Sequence, residues 1–303
     1  MTVTLVQMII IIFSGVGWRI IKPAGLTADP TRLVLTSVVY YLLLPTLILD
    51  VLWSAKLGVQ SLEFSFLGIV TIMLGLLLIG SSLSLFKLKR PQIGALLLVT
   101  AFPNVTALGL PVLEQAFGQW ARSVAIQIDL FAFSPLVYTV GIMIARHYGE
   151  DKGRHRAMLA FLNTPPFWAA IIAVILNINH VATPEWLDGT LKKMSAAAVP
   201  LMLFSLGLAL SWSSIKMQNI PYMVPVIAIK LLLTPFLVMK ILPFLTMSDE
   251  YKAAAIIDLA MPSMVLGIVF CDRYKLDSGL YAMAVIVTTL FSMITLPFWF
   301  STL

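Results

Sequence analysis

Asp129, Lys230 and Asp258 stand inside long apolar runs of the chain. A charge at the centre of a bilayer helix is penalised by about 2.5–3.5 kcal/mol on insertion scales, so each needs a partner or a wet cavity. Counted inward from the outer ends of their runs, Asp129 and Asp258 lie at about 9–11 Å and Lys230 at about 18–20 Å. A lysine side chain can close much of that gap. Two carboxylates and one ammonium leave one carboxylate unbalanced, and an unpaired, desolvated carboxylate can carry a proton. Asp258, four residues before Pro262, is the expected coupling residue. Lys230 is its expected partner, or a contact to an anion. The bland alternative is an ion pair that only orders helices. Gln127 and Asp129 with Thr288 and Thr289 offer oxygens that would suit Na⁺, although threonine hydroxyls equally satisfy helix carbonyls.

Two prolines lie in apolar runs beside small polar residues: Pro103 with Asn104, Thr106 and Gly109, and Pro262 with Ser263 and Gly267. Each lies about 15 Å into its run, near the midplane of a bilayer. Proline removes a backbone donor and disrupts the preceding turn. The freed groups cannot face lipid, so they line protein or a wet cavity. The second half of a broken helix begins with about half a positive charge, which attracts carboxylates. The first half ends in carbonyls, which favour a cation or a proton-bearing group. Such a pair suits a small organic anion, with or without a coupling cation. Two merely kinked helices are the structural alternative.

The elements that must hold these residues are membrane spans. Of 303 residues, 60% are apolar and 11% charged, against about 45–50% and 25% in soluble domains. That excludes a soluble globular, disordered, collagenous or coiled-coil chain. Apolar runs at roughly 4–21, 34–54, 64–86, 93–112, 123–145, 157–178, 193–213, 221–243, 251–271 and 279–301 are each long enough to cross the hydrocarbon. The expected fold is therefore an all-α polytopic membrane protein of ten spans, helices 4 and 9 being broken at proline and crossing at the midplane. No Lys or Arg precedes the first run, so it reads as a retained span and not a signal peptide. The single Cys271 excludes an internal disulfide and a paired-cysteine metal site. His147, His155 and His180 lack metal-ligand spacing, and no metal or other cofactor is expected. Asp50 lies about 6 Å from the outer end of its run and is expected to reach the interface.

The net charge of +6 resides mainly in the loops, so it reports topology and not nucleic acid. Loops after odd-numbered runs hold Arg19, Lys22, Arg32, Lys87, Lys89, Arg90, Arg146, Lys152, Arg154, Arg156, Lys216, Arg273 and Lys275. The other side holds Lys56, Arg122, Lys192, Lys193, Lys240 and Lys252. The bias places the first set in the cytoplasm and both termini outside, in an inner (cell) membrane. The most polar stretch, RHYGEDKGRHR at 146–156, divides a first five-helix repeat (1–145) from a second (157–303). Five is odd, so similar halves would be inverted repeats, an arrangement common in secondary transporters. YLLLPTLILDVLW echoes AAVPLMLFSLGLAL, AFPNVTALGLP echoes AMPSMVLGIVF, and IDLFAFSPLVY echoes TTLFSMITLPF, at a shared offset of about 155–160 residues.

PNVTALGLPVLEQAFG resembles the fourth-span motif of the auxin efflux carrier family, and VPLMLFSLGLAL resembles its seventh span. LAMPSMVLGIVFCDRYKLD and VIVTTLFSMITLPFW resemble its ninth and tenth. The likeness covers nearly the whole chain, in the compact form of bacterial members taken for malonate or malate permeases. It implies a ten-helix elevator transporter of organic anions, including auxin in plants. Scaffold helices 1, 2, 6 and 7, often dimeric, would carry transport helices 3, 4, 5, 8, 9 and 10. The implied substrate site is Pro103, Asn104, Pro262 and Ser263. Ser263 departs from the pattern, since it brings no amide to the position matching Asn104.

The expected function is therefore secondary transport of a small carboxylate such as malonate, malate or an auxin-like acid, coupled to protons or driven by potential. Its expected partners are that anion, a proton or sodium ion, the bilayer and a second copy of the chain. A sodium-coupled symporter of the bile-acid type is the first rival, though its glutamate and Gly-x-Gln-Asn sequence in span nine are absent. An intramembrane aspartyl protease would need a Gly-x-Gly-Asp sequence, and Asp129 and Asp258 stand in Gln-Ile-Asp-Leu and Ile-Ile-Asp-Leu. No phosphate-binding Gly-x-x-x-x-Gly-Lys loop for ATP-driven pumping appears. A membrane sensor on a transporter scaffold is the remaining alternative.

Overall fold

The computed structural model describes residues 2–55, 57–150, 164–209 and 216–303. These residues form helices and no strands. In chain order they are α1 (Thr2–Ile21), α2 (Ala28–Trp53), α3 (Val59–Leu83), α4 (Arg90–Ala101), α5 (Val105–Phe117), α6 (Gln119–Tyr148), α7 (Pro165–Ile178), α8 (Glu185–Ala209), α9 (Met217–Phe244), α10 (Asp249–Leu259), α11 (Gly267–Tyr274) and α12 (Ser278–Thr302). Among the described residues six helices, α2, α3, α6, α8, α9 and α12, are long and apolar enough to cross a membrane. The polar joint expected at 146–156 is described only as far as Glu150. Its remainder, and the start of the run expected from 157, lie outside the described residues.

Proline shapes several helices in the same way. Pro45, Pro111, Pro135 and Pro235 each follow a wide π-turn, at Val39–Leu43, Val105–Gly109, Asp129–Phe133 and Ala228–Leu233. A proline ring clashes with the carbonyl four residues earlier and offers it no N–H. Widening the turn relieves the clash without ending the helix. The carbonyl opposite Pro235 belongs to Leu231, and it accepts the indole N–H of Trp299 at 2.7 Å.

The chain divides into two contact units. The first comprises Met1–Gly58, Thr106–Ile126 and Leu159–Leu210, and the second Val59–Val105, Gln127–Met158 and Ser211–Leu303. The first thus holds α1, α2, α7, α8, nearly all of α5 and the start of α6. The second holds α3, α4, the rest of α6 and α9 to α12.

Within the first unit α1 packs on α8. Gly15 and Gly207 allow the backbones to touch, because a Cβ on Gly207 would overlap the Ile12 carbonyl and one on Gly15 the Phe204 carbonyl. Small residues serve this purpose where helices meet in lipid. Helix ends need donors there, since no water reaches their last carbonyls. Asn177 on α7 supplies one set, its amide nitrogen donating to the carbonyls of Leu52, Trp53 and Ala55 at 3.0, 2.8 and 2.8 Å. Arg19 supplies another, donating through Nε and Nη2 to the Leu208 carbonyl.

Asp50 corrects an expectation. Its side chain is 10% exposed, not interfacial, with Arg122 Nη1 at 3.7 Å. The Ser195 hydroxyl donates to it at 2.7 Å. α2 packs along α8, which carries Ser195, so the carboxylate meets protein where the sequence suggests water.

Candidate functional site: two interrupted spans paired antiparallel

In the second unit two apolar runs stop being helical at their prolines. α4 ends at Ala101, Phe102 turns extended, and Pro103 and Asn104 follow outside any helix. α10 ends at Leu259, and regular helix resumes only at Gly267. Extended backbone in hydrocarbon needs partners for every N–H and C=O, and these segments supply them to each other. Pro103 and Ser263 form an isolated antiparallel bridge. Asn104 N–H donates to the Pro262 carbonyl at 2.7 Å, and Met264 N–H donates to the Phe102 carbonyl at 3.0 Å. Ser263 N–H donates to Thr288 Oγ1 at 3.2 Å. The four residues of the implied substrate site, Pro103, Asn104, Pro262 and Ser263, are thereby brought together, and Thr106, also expected to line it, is not among them. Thr106 falls in the other contact unit.

The backbone is satisfied, but side-chain atoms at the pairing are not. Asn104 is 5% exposed and Ser263 is fully buried. Neither Asn104 Nδ2 nor Ser263 Oγ has a hydrogen-bond partner. A buried amide or hydroxyl left unbonded carries a penalty of about 1–3 kcal/mol. α11 begins three residues beyond Met264, which adds the N–H groups of a helix start to the same neighbourhood.

The expected charged residues also lie in this unit. Lys230 is 1% exposed, on the π-turn Ala228–Leu233. Asp258 is fully buried at the end of α10. Lys230 Nζ and both Asp258 oxygens lack hydrogen-bond partners, so the structure does not join them as a pair. Asp129 opens the π-turn Asp129–Phe133 and accepts the Ser134 hydroxyl at 3.0 Å. Of the oxygens considered for sodium, Gln127 Oε1 and Thr289 Oγ1 are buried without partners. Thr288 Oγ1 is already engaged: it donates to the Ala284 carbonyl at 2.8 Å and accepts from Ser263.

Sequence reasoning missed Tyr281, which is fully buried and donates its hydroxyl to the Met264 carbonyl at 2.8 Å. A tyrosine in an apolar run reads as packing, and only the fold shows what its hydroxyl reaches.

Residues 154–300 match the family model described as membrane transport protein. The chain is 28% identical to an uncharacterized transporter of Methanocaldococcus jannaschii, over 97% of this chain and 96% of that one. It is 27% identical to an uncharacterized transporter of Methanothermobacter thermautotrophicus, over 98% and 97%. It is also 23% identical to auxin efflux carrier component 8 of Arabidopsis thaliana, over 67% of this chain and 69% of that one. With its apolar helices and its paired interruptions, the chain is a multi-pass membrane transporter and not an enzyme, similar over its second half to the membrane transport protein family and over two thirds of its length to a plant auxin efflux carrier component.

Proposed function

We propose that this transporter is a secondary carrier of small organic anions, carboxylates such as malonate, malate or an auxin-like weak acid. The observation that carries the reading is the antiparallel pairing at Pro103 and Ser263, with Asn104 Nδ2 and Ser263 Oγ buried beside it and unpartnered. An amide N–H, a hydroxyl and a helix start all donate to an anion and none carries a full charge. A carboxylate can therefore bind there and still leave.

The division into two contact units supports an elevator mechanism, with the second unit carrying the anion and the first acting as scaffold. In this reading the chain crosses a cell (inner) membrane ten times as two inverted repeats, 1–145 and 157–303, with both termini outside and a second copy docked on the scaffold. The antiparallel sense of the bridge supports the inversion. Asp258 is the coupling group in this reading, since it is fully buried at the end of α10 and neither of its oxygens has a hydrogen-bond partner.

A sodium-coupled symporter is the second reading. It draws on the unpartnered, buried oxygens of Gln127 and Thr289. Uptake by proteoliposomes separates the two. Labelled malonate, malate, lactate and an indole acid are offered with and without a pH gradient, and with and without Na⁺. The proposal expects saturable uptake of one acid that rises with the pH gradient. Uptake that rises only with Na⁺ selects the second reading, and no uptake of any acid counts against both.

A further inference from the structure

The pairing of the two interrupted spans does not serve every backbone group of the 262–264 segment. Pro262 C=O and Met264 N–H are taken by Asn104 and Phe102. Ser263 N–H and Met264 C=O have nothing opposite them on the other strand. Both find partners on α12. Ser263 N–H donates to Thr288 Oγ1 at 3.2 Å, and Tyr281 O–H donates to the Met264 carbonyl at 2.8 Å. Tyr281 and Thr288 are both fully buried. They are seven residues apart, two helical turns, and so share one face of α12.

The geometry leaves each side chain little choice. The Thr288 hydroxyl commits its hydrogen to the Ala284 carbonyl at 2.8 Å. Its oxygen can therefore only accept, and it accepts from Ser263. Tyr281 is held from the other side by Gly267, the first residue of α11. A Cβ at position 267 would overlap the phenolic hydroxyl. One ring thus fixes both the exit of the extended segment and the start of the following helix.

We infer that Tyr281 and Thr288 are positioning residues for the anion site. They hold the 262–264 backbone from behind, so that the Ser263 hydroxyl and the Asn104 amide are not drawn into satisfying it and remain available to a ligand. The inference deepens the reading of the crossing as an anion site. It also gives Thr288 a different duty from sodium ligation.

The test uses the full-length protein and four forms: wild type, Thr288→Val, Thr288→Ser and Tyr281→Phe. Hydrogen exchange by mass spectrometry is read on peptides covering 260–267. Losing one such bond corresponds to about tenfold faster exchange. Thr288→Val and Tyr281→Phe are expected to show it, and Thr288→Ser, which keeps the hydroxyl, is expected to stay near wild type. In the uptake assay with whichever of the four acids is carried, the same two variants are expected to raise KM about five- to tenfold, with the Na⁺ response unchanged. Unchanged exchange in both variants overturns the inference. So does a Thr288→Val form that shifts the Na⁺ response and leaves the anion KM alone. If the exchange pattern appears and wild-type protein carries none of the acids, the brace stands and the proposed substrate class falls. Should Thr288→Val not fold, Tyr281→Phe with the serine form decides.

Discussion

The backbone N–H of Asn104 donates to the carbonyl of Pro262 at 2.7 Å. Each residue sits at or beside the proline that interrupts its own span, and the two spans come from opposite halves of the chain. A single broken helix in hydrocarbon would leave unpaired N–H and C=O groups. Two broken helices laid antiparallel satisfy each other's backbone and leave Asn104 Nδ2 and Ser263 Oγ buried without partners.

The π-turn before Pro235 gives a test of how the second contact unit is held together. Trp299 donates to the Leu231 carbonyl that Pro235 cannot serve. Trp299→Phe leaves that carbonyl buried and unpaired, a loss of about 1–3 kcal/mol, read as a lower Tm in detergent. Adding Pro235→Ala restores a backbone donor to the turn. The double variant is expected to be more stable than Trp299→Phe alone, and equal stability would contradict this account of the indole.

Arg122 and Asp50 supply a second test, in the other unit. Arg122 lies between two carboxylates, with Nη1 3.7 Å from Asp50 and Nε 3.6 Å from Glu114, and its side chain is 9% exposed. Removing one member of a buried ion group leaves the other uncompensated, at about 3–5 kcal/mol. Arg122→Met is expected to destabilise strongly, and Asp50→Asn in the same chain to recover part of the loss. A thermal melt of the three forms measures this coupling.

The close approach of α1 and α8 predicts intolerance at one glycine. Gly207→Val would drive methyl groups into the Ile12 carbonyl. Overpacking at a backbone contact typically destabilises by about 1–3 kcal/mol or more. The variant is expected to show a reduced Tm and poor recovery after purification, whereas Gly17→Ala, with open space around its Cβ, is expected to match wild type.

Asp258→Asn isolates coupling from binding. The amide keeps the shape and cannot exchange a proton. Uptake driven by a pH gradient is expected to fall to the level seen without one, while counterflow of the same acid persists. If the variant still responds fully to the pH gradient, Asp258 is not the coupling group.

Composition made the membrane and the helices legible, and the two prolines marked where spans break, because proline acts locally on the turn before it. Asn104 and Ser263 were visible for the same reason. What the sequence did not show lies in contacts between distant segments. Asp50 read as interfacial from its depth in the second run, yet Ser195 and Arg122, far along the chain, enclose it. Lys230 and Asp258 read as possible partners from charge, depth and the reach of a lysine, and in the structure neither Lys230 Nζ nor the Asp258 oxygens find a hydrogen bond. Tyr281 offered no signal, since its role depends on the Met264 carbonyl seventeen residues away in sequence.

The measurement that bears most directly on the crossing as the substrate site is the uptake KM of Asn104→Ala, set against wild type for the acid carried by proteoliposomes. The substitution removes the unpartnered Nδ2 and leaves the backbone bond to Pro262 in place. The account predicts a KM raised about tenfold, in line with the loss of one hydrogen bond to a charged ligand, with Tm and α-helix content unchanged. An unchanged KM in a folded variant would contradict it.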